Sequence, residues 1–271
     1  MKTSNHLLRR LTAALLAAVL ALSIALPVFA SDDGDPIYIN SVSDLLSLAR
    51  NCAYDQWSVG KTVILQKDLS LEGMLWEPIP SFSGQFKGNG HTISDLTITG
   101  QYSPAGLFGI VEEQGSIESL SVRGVVSVSD SADTTTGGIV GINHGTLINC
   151  QFTGVVTGDS EVGGIVGRNE SEGTIDHSTA RAIVTGKSST GGIAGYNLGA
   201  ITGCTNVGSI NTEYPEASLD TDGFTAKMVD YINNKMAAAD NDATNSVTNV
   251  ATDTGGIAGR SSGMILTLSL I

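Results

Sequence analysis

Four carboxylates fall where chemistry could be built: Asp130 and Asp133 in one short turn, Asp159 and Glu161 in the equivalent turn of the next repeat. Paired carboxylates are the acid and base of glycan hydrolysis, and acidic oxygens with a basic residue nearby serve calcium-assisted proton abstraction. Stacked turns would bring the four acids together around a weakly held calcium ion. The plainer expectation is solvated turn acids. His144 and His177 lie near corners of successive repeats but are offset by one position, so exposed turn histidines are expected rather than a pair. Cys52, Cys150 and Cys204 form no CxxC and no Cys/His cluster, which argues against a zinc site. No Ser/His/Asp elbow, phosphate loop or basic stripe occurs, and "GNGH" at 88–91 reads as a turn. No residue is therefore assigned as catalytic, cofactor-binding or metal-ligating, and no cofactor is expected.

The elements that would position such residues are repeated ones. "AGLFG" at 105–109 returns as "GGIVG" at 137–141 and 163–167, then as "GGIAG" at 191–195 and 255–259. The second glycine steps by 32, 26, 28 and 64 residues. Each phrase is followed by a turn ending in Gly115, Gly145, Gly173 or Gly199, then by alternating runs such as "TLINCQFTGVVTG". Such a unit reads strand, turn, strand, turn, strand, with no helical crossover between strands. A unit this size cannot bury a core alone and must stack on its neighbours.

The expected fold is therefore all-β: a parallel β-helix, right-handed by the general crossover preference. Glycine suits the corners, where positive φ or close backbone approach is needed. Asn143, Asn169 and Asn197, each two residues beyond the last glycine of their phrase, should stack as a buried ladder.

Flanking segments complete the layout. The front, residues 1–30, carries Lys2, Arg9 and Arg10, an apolar run from Leu11 to Leu26, and Val28-Phe29-Ala30. The run approaches spanning length. Its small-residue ending before "SDDGD" nevertheless reads as a signal peptide, with a mature chain starting at Ser31. Removing it leaves 11 Lys+Arg against 27 Asp+Glu, a net charge near −16, which repels nucleic acid and anionic membrane. Residues 31–60 read as a strand and a capping helix, with Ser41 as N-cap, Asp44 in the capping-box position, and Val42, Leu45, Leu46 and Ala49 on one face. Coils are expected over 61–210. An insertion over 211–253 carries Phe224, Met228, Tyr231, Ile232 and Met236 at helical spacing. Residues 254–271 read as a final incomplete coil whose open apolar edge invites self-association.

Gly106-Leu107-Phe108-Gly109 and the "GGIVG…NC" units, with "DLSL" at 68–71, "WEPIP" at 76–80 and "FKGNGHTI" at 86–93, resemble the GLUG-motif family of secreted and surface bacterial proteins. The resemblance covers about residues 37–210 and resumes at 254. It implies a parallel β-helix exposed on cell surfaces. Some relatives are attached to peptidases, but no HExxH occurs here, so that activity does not carry over.

Aligned on the turn glycine, Cys150, Ser178 and Cys204 share one position. At about 4.8 Å per coil the two cysteines stand roughly 9–10 Å apart, beyond disulfide reach of about 7 Å. Both are expected as unpaired, buried small hydrophobes. These readings predict a secreted, non-catalytic surface module of scaffold or adhesin type, whose partners are extracellular or cell-surface polysaccharide or protein. The alternative is an extracellular polysaccharide lyase or hydrolase, which a cluster of carboxylates with Arg or Lys on a lateral groove would favour.

Overall fold

A computed structural model of the chain describes residues 34–54, 56–128, 134–211 and 252–266, except for the side chains of 252–255. Residues 1–30, read as a signal peptide, Asp130, Asp133, the part of the insertion read as helical and the last residues of the chain lie outside the described residues. The first turns hold β1 (Ile37–Ile39), α1 (Val42–Asn51), β2 (Thr62–Leu65) and β3 (Leu69–Ser70). Then come β4 (Ile79–Phe82), β5 (Gln85–Lys87), β6 (Thr92–Gly100), β7 (Phe108–Val111), β8 (Ser116–Glu118) and β9 (Ser121–Val128). The next coil is β10 (Thr135–Gly137), β11 (Val140–Asn143), β12 (Thr146–Ile148) and β13 (Gln151–Thr157). Its successor is β14 (Glu161–Gly163), β15 (Val166–Asn169), β16 (Thr174–Asp176) and β17 (Thr179–Thr185). After it run β18 (Ser188–Gly191), β19 (Ala194–Asn197), β20 (Ala200–Thr202), β21 (Thr205–Asn206) and β22 (Ser209–Ile210). The last described coil holds β23 (Thr252–Gly255), β24 (Ala258–Ser261) and β25 (Met264–Leu266).

The strands assemble into four stacks, each joining a strand to its counterpart one coil away. Sheet A has eight strands in the order β1-β2-β5-β8-β12-β16-β20-β25. Sheet B runs β3-β6-β9-β13-β17-β21, with β22 also on β17, sheet C runs β4-β7-β11-β15-β19-β24, and sheet D runs β10-β14-β18-β23. The pairings between these strands are parallel. The fold is thus an all-parallel β-solenoid, as the repeats predicted. The repeats carry four strands rather than three, because the three or four residues ending at the first glycine of each phrase pair as sheet D.

Apolar residues on the inward side of most strands make one continuous core. Its sheet A column is Val63, Phe86, Ile117, Leu147, Ile175 and Ile201, all at 1% exposure or less. The β-branched content of these strands suits a pleated surface buried on one side. Helix α1 begins as expected: Ser41 Oγ accepts from Asp44 N at 3.2 Å, and Asp44 Oδ2 accepts from Asn40 N at 2.9 Å. It packs against β1 and β4 through Leu45 and also Leu48, which the helical-face reading missed, with Val42, Leu46 and Ala49 partly buried.

The phrase glycines are needed for closeness rather than for positive φ. A Cβ on Gly163 would run into the carbonyl of Val166 and stand 2.8 Å from that of Ile193 in the next coil. The left-handed corner lies elsewhere, between sheets A and B. There Ser119, Asn149 and His177 have φ of 51°, 52° and 45°, and Gly203 completes the column at 61°. Each donates its N–H across one coil: Ser119 to Ile148 O, Asn149 to Asp176 O, His177 to Thr202 O and Gly203 to Leu266 O, at 2.9–3.0 Å.

Candidate functional site

Inside the coils, the asparagine ladder forms as the spacing predicted. Asn143, Asn169 and Asn197 pair in register and are fully buried. Asn143 Nδ2 donates to Asn169 Oδ1 at 2.7 Å, Asn169 Nδ2 to Asn197 Oδ1 at 2.8 Å, and Asn197 Nδ2 to Ser261 Oγ at 3.2 Å. Each amide also donates to a turn-glycine carbonyl: Gly145, Gly173 or Gly199. Every donor is used and all three side chains are fully buried, so the ladder offers no donor to a ligand. It is structural.

The cysteines are likewise interior. All three are free and buried. Cys150, Ser178 and Cys204 form one column, in which Cys150 N donates to Ser178 Oγ at 3.1 Å and Ser178 N to Cys204 Sγ at 3.4 Å. The thiols also donate to carbonyls, Cys150 to Ile117 O and Cys204 to Ile175 O, so they act as weak hydrogen-bonding groups and not only as filler. Burial pushes the Cys150 thiol up to about 12 and the Cys204 thiol up to about 11. Neither is a nucleophile near neutral pH.

Asp159 and Glu161 depart from the expected solvated turn acids. Asp159 pairs with Lys187 Nζ at 2.7 Å. Glu161 takes Arg168 Nη1 at 3.0 Å and the Thr135 hydroxyl at 3.1 Å. Its burial raises the carboxyl above the usual range, against the pull of Arg168. Arg168 Nε also meets Glu170 at 2.7 Å, and its guanidinium lies 5.1 Å from the centre of the Tyr196 ring. Arg260 approaches the same ring at 5.6 Å. Ile110, Ile142, Arg168, Tyr196 and Arg260 occupy one outward column of sheet C. Each lies one residue past the last glycine of its phrase, a signal that alignment on the phrase would have exposed.

His144 sits in the turn between β11 and β12, whereas His177 sits in the corner between β16 and β17. The two are at opposite ends of sheet A strands and form no pair. Among the described residues, no group of three His, Cys, Asp or Glu side chains could hold a metal ion.

A groove follows the left-handed corner column. Two adjoining hollows of about 120 and 320 Å³ share Gly90, Ser119 and Asn149. The smaller adds Ser121, Gln151, His177 and Thr179, and the larger adds Lys87, Asn89 and Glu118. Asn149 Nδ2 donates to Ser119 Oγ at 3.2 Å, and His177 Nδ1 meets Asp176 at 2.8 Å. A left-handed residue with a side chain costs about 1–2 kcal/mol relative to glycine. Nothing in the local sequence marks these corner positions, which is why they escaped the repeat reading.

These coils define a parallel β-solenoid built from short glycine-rich repeats. The GLUG motif family matches residues 158–185, the coil from Gly158 through β17, so the chain carries the GLUG motif that its phrases resemble. Halomucin of Haloquadratum walsbyi is 31% identical over 158 residues, 54% of this chain and 2% of its own length. A protein of Evansella cellulosilytica, named for a Gly-rich membrane protein, is 29% identical over 137 residues, 36% of this chain and 16% of its own. The chain thus spans a small part of both relatives. The crystal structure of a candidate immunoglobulin A1 protease from Bacteroides ovatus superposes with a TM-score of 0.59 at 20% identity. It covers 86% of this chain and 65% of that one, a likeness of fold alone.

Proposed function

We propose that the chain is a non-catalytic solenoid segment of an exported surface protein, which presents its outer columns to extracellular partners. The observation that carries this reading is where the repeated residues go. Asn143, Asn169, Asn197 and the glycines of the middle phrases are spent between coils, while the outward column changes chemistry from Ile142 to Arg168 to Tyr196. Selection for a stack with variable outer faces suits a display surface. The likeness to Halomucin and to a protein named for a membrane supports a cell-surface setting.

Two experiments test it. Expressed from its own start codon, the chain should lose residues 1–30, with Ser31 as the new N-terminus, and be labelled on intact cells by an impermeant reagent. A full-length, protease-protected cytoplasmic chain would refute it.

A second reading has one observation in its favour. Glu161, Arg168, Glu170 and Tyr196 form the carboxylate-plus-arginine patch that a polysaccharide lyase or hydrolase would need. Incubation with acidic polysaccharides, followed for new reducing or unsaturated ends, decides between them. Product formation abolished by Glu161→Gln would establish the enzyme.

A further inference from the structure

We infer that the groove along the sheet A–sheet B corner is a binding site for a linear acidic glycan, lying along the stack and read one coil at a time. The inference rests on the surface-display reading and names the ligand class for one of its faces.

Three observations converge on this groove. Its lining is polar at every level: Asn89, then Ser119 with Ser121, then Asn149 with Gln151, then His177 with Thr179, while Lys87 and Glu118 add one charge of each sign at the larger hollow. These levels repeat at the strand spacing of about 4.8 Å, so a ligand with a polymeric repeat meets an equivalent polar set on each coil.

The second observation is conformational. At Gly203 the corner is made by the residue that adopts positive φ without strain, yet three preceding coils keep Ser119, Asn149 and His177 there. Serine is a poor choice for that backbone region, and asparagine and histidine, though commoner there than other side chains, still fit it less easily than glycine; these are the positions whose polar side chains line the hollows. A corner serving only to turn the chain would be better made of glycine throughout.

The third is charge. Arg123 and Arg181 lie two residues beyond Ser121 and Thr179 on the outward face of β9 and β17, and both align with Thr153. Among the described residues neither guanidinium is within ion-pair distance of a carboxylate. In a chain with 14 Lys+Arg against 27 Asp+Glu, two such cations flanking a polar groove complement an anionic ligand. They are two coils apart, about 9–10 Å, which fits charges recurring along a polymer rather than a single anion. Guanidinium groups bind carboxylate and sulfate through the same forked donors, so both kinds of glycan fit.

The full chain is titrated with polygalacturonate, a sulfated galactan and a neutral mannan at low ionic strength, by calorimetry and by affinity electrophoresis. Binding of one or both acidic polymers but not mannan is expected, weakening as salt rises. The double variant Arg123→Gln/Arg181→Gln should bind about tenfold or more weakly. The triple variant Ser119→Gly/Asn149→Gly/His177→Gly should lose binding while its thermal midpoint holds or rises, because glycine favours those φ values. That pairing separates loss of a site from loss of a fold. Equal binding of mannan, undiminished binding by the triple variant, or no binding to any glycan would overturn the inference. So would preferential binding of an extended neutral peptide. Glycan failure alongside surface labelling of intact cells would leave the display reading standing and remove only this site.

Discussion

Around β4, β5 and β7 the solenoid is filled by Phe82, Phe86 and Phe108, whose ring centres stand 5.4–6.3 Å apart in tilted and edge-on contacts. Two coils further on, the sheet C position that holds Phe82 and then Val111 is taken by Asn143, Asn169 and Asn197. The same cross-section is thus filled in two ways. Aromatic rings stabilise by area and tolerate many arrangements. Buried amides are worth having only if each meets its neighbour in register, so they specify how coils align. The early coils supply bulk, and the middle coils supply register.

Breaking that contrast should be costliest at the aromatic end. Phe108→Ala should lower stability by about 3–5 kcal/mol, read as a drop in the urea midpoint at unchanged slope. Asn169→Leu keeps the volume but leaves Asn197 Oδ1 without its donor, and should cost about 1–3 kcal/mol. The register claim is sharper than the energy: the leucine variant should slow hydrogen exchange less at Asn197 and Ile193 than the wild type does. A midpoint unchanged by Asn169→Leu would mean that the ladder contributes no more than apolar filling.

The cysteine column gives a pH test of the middle coils. Cys150 titrates near 9.0 when unfolded and about 12 when folded, so below pH 9 both states keep the proton. Between about 9 and 12 the unfolded chain loses it first, and stability should fall with rising pH over that window. Cys150→Ser should flatten the fall, and a thiol reagent at pH 8 should label Cys150 and Cys204 only on unfolding.

The smallest change expected is a gain. Asn143 Oδ1 is buried without a hydrogen-bond partner, directly over Val111. Val111→Thr places a hydroxyl at the junction between the two kinds of filling and should add up to about 1 kcal/mol. Val140→Thr, on the neighbouring interior column, should destabilise instead.

The ladder and the stacking of coils were legible because they depend on spacing, which the repeated phrase reveals directly. The glycines were legible as constraints but not in kind. Gly163 is required by a carbonyl 30 residues later, Ile193, and no local pattern announces a contact over that range. The short sheet D strands went unread because three residues such as "TTG" and "EVG" carry no measurable alternation. The outward cluster of Glu161, Arg168, Tyr196 and Arg260 draws on four coil positions separated by 7, 28 and 64 residues. Only the register makes them neighbours. The corner groove was hidden for the same reason, since Ser119, Asn149 and His177 share a backbone state rather than a residue type.

The ladder's hydrogen bonds all run one way, from Asn143 toward Ser261. Side-chain amides aligned head to tail add their dipoles, and each bond strengthens the next. The stack therefore has a polarity independent of the chain's own direction. A coil inserted after Asn197 must accept from its amide as Ser261 now does, while one placed before Asn143 meets an acceptor without a partner, Asn143 Oδ1. Lengthening such a protein is not symmetric: a duplicated coil is stabilised by the row it joins only if its asparagine donates to the next coil in the same sense.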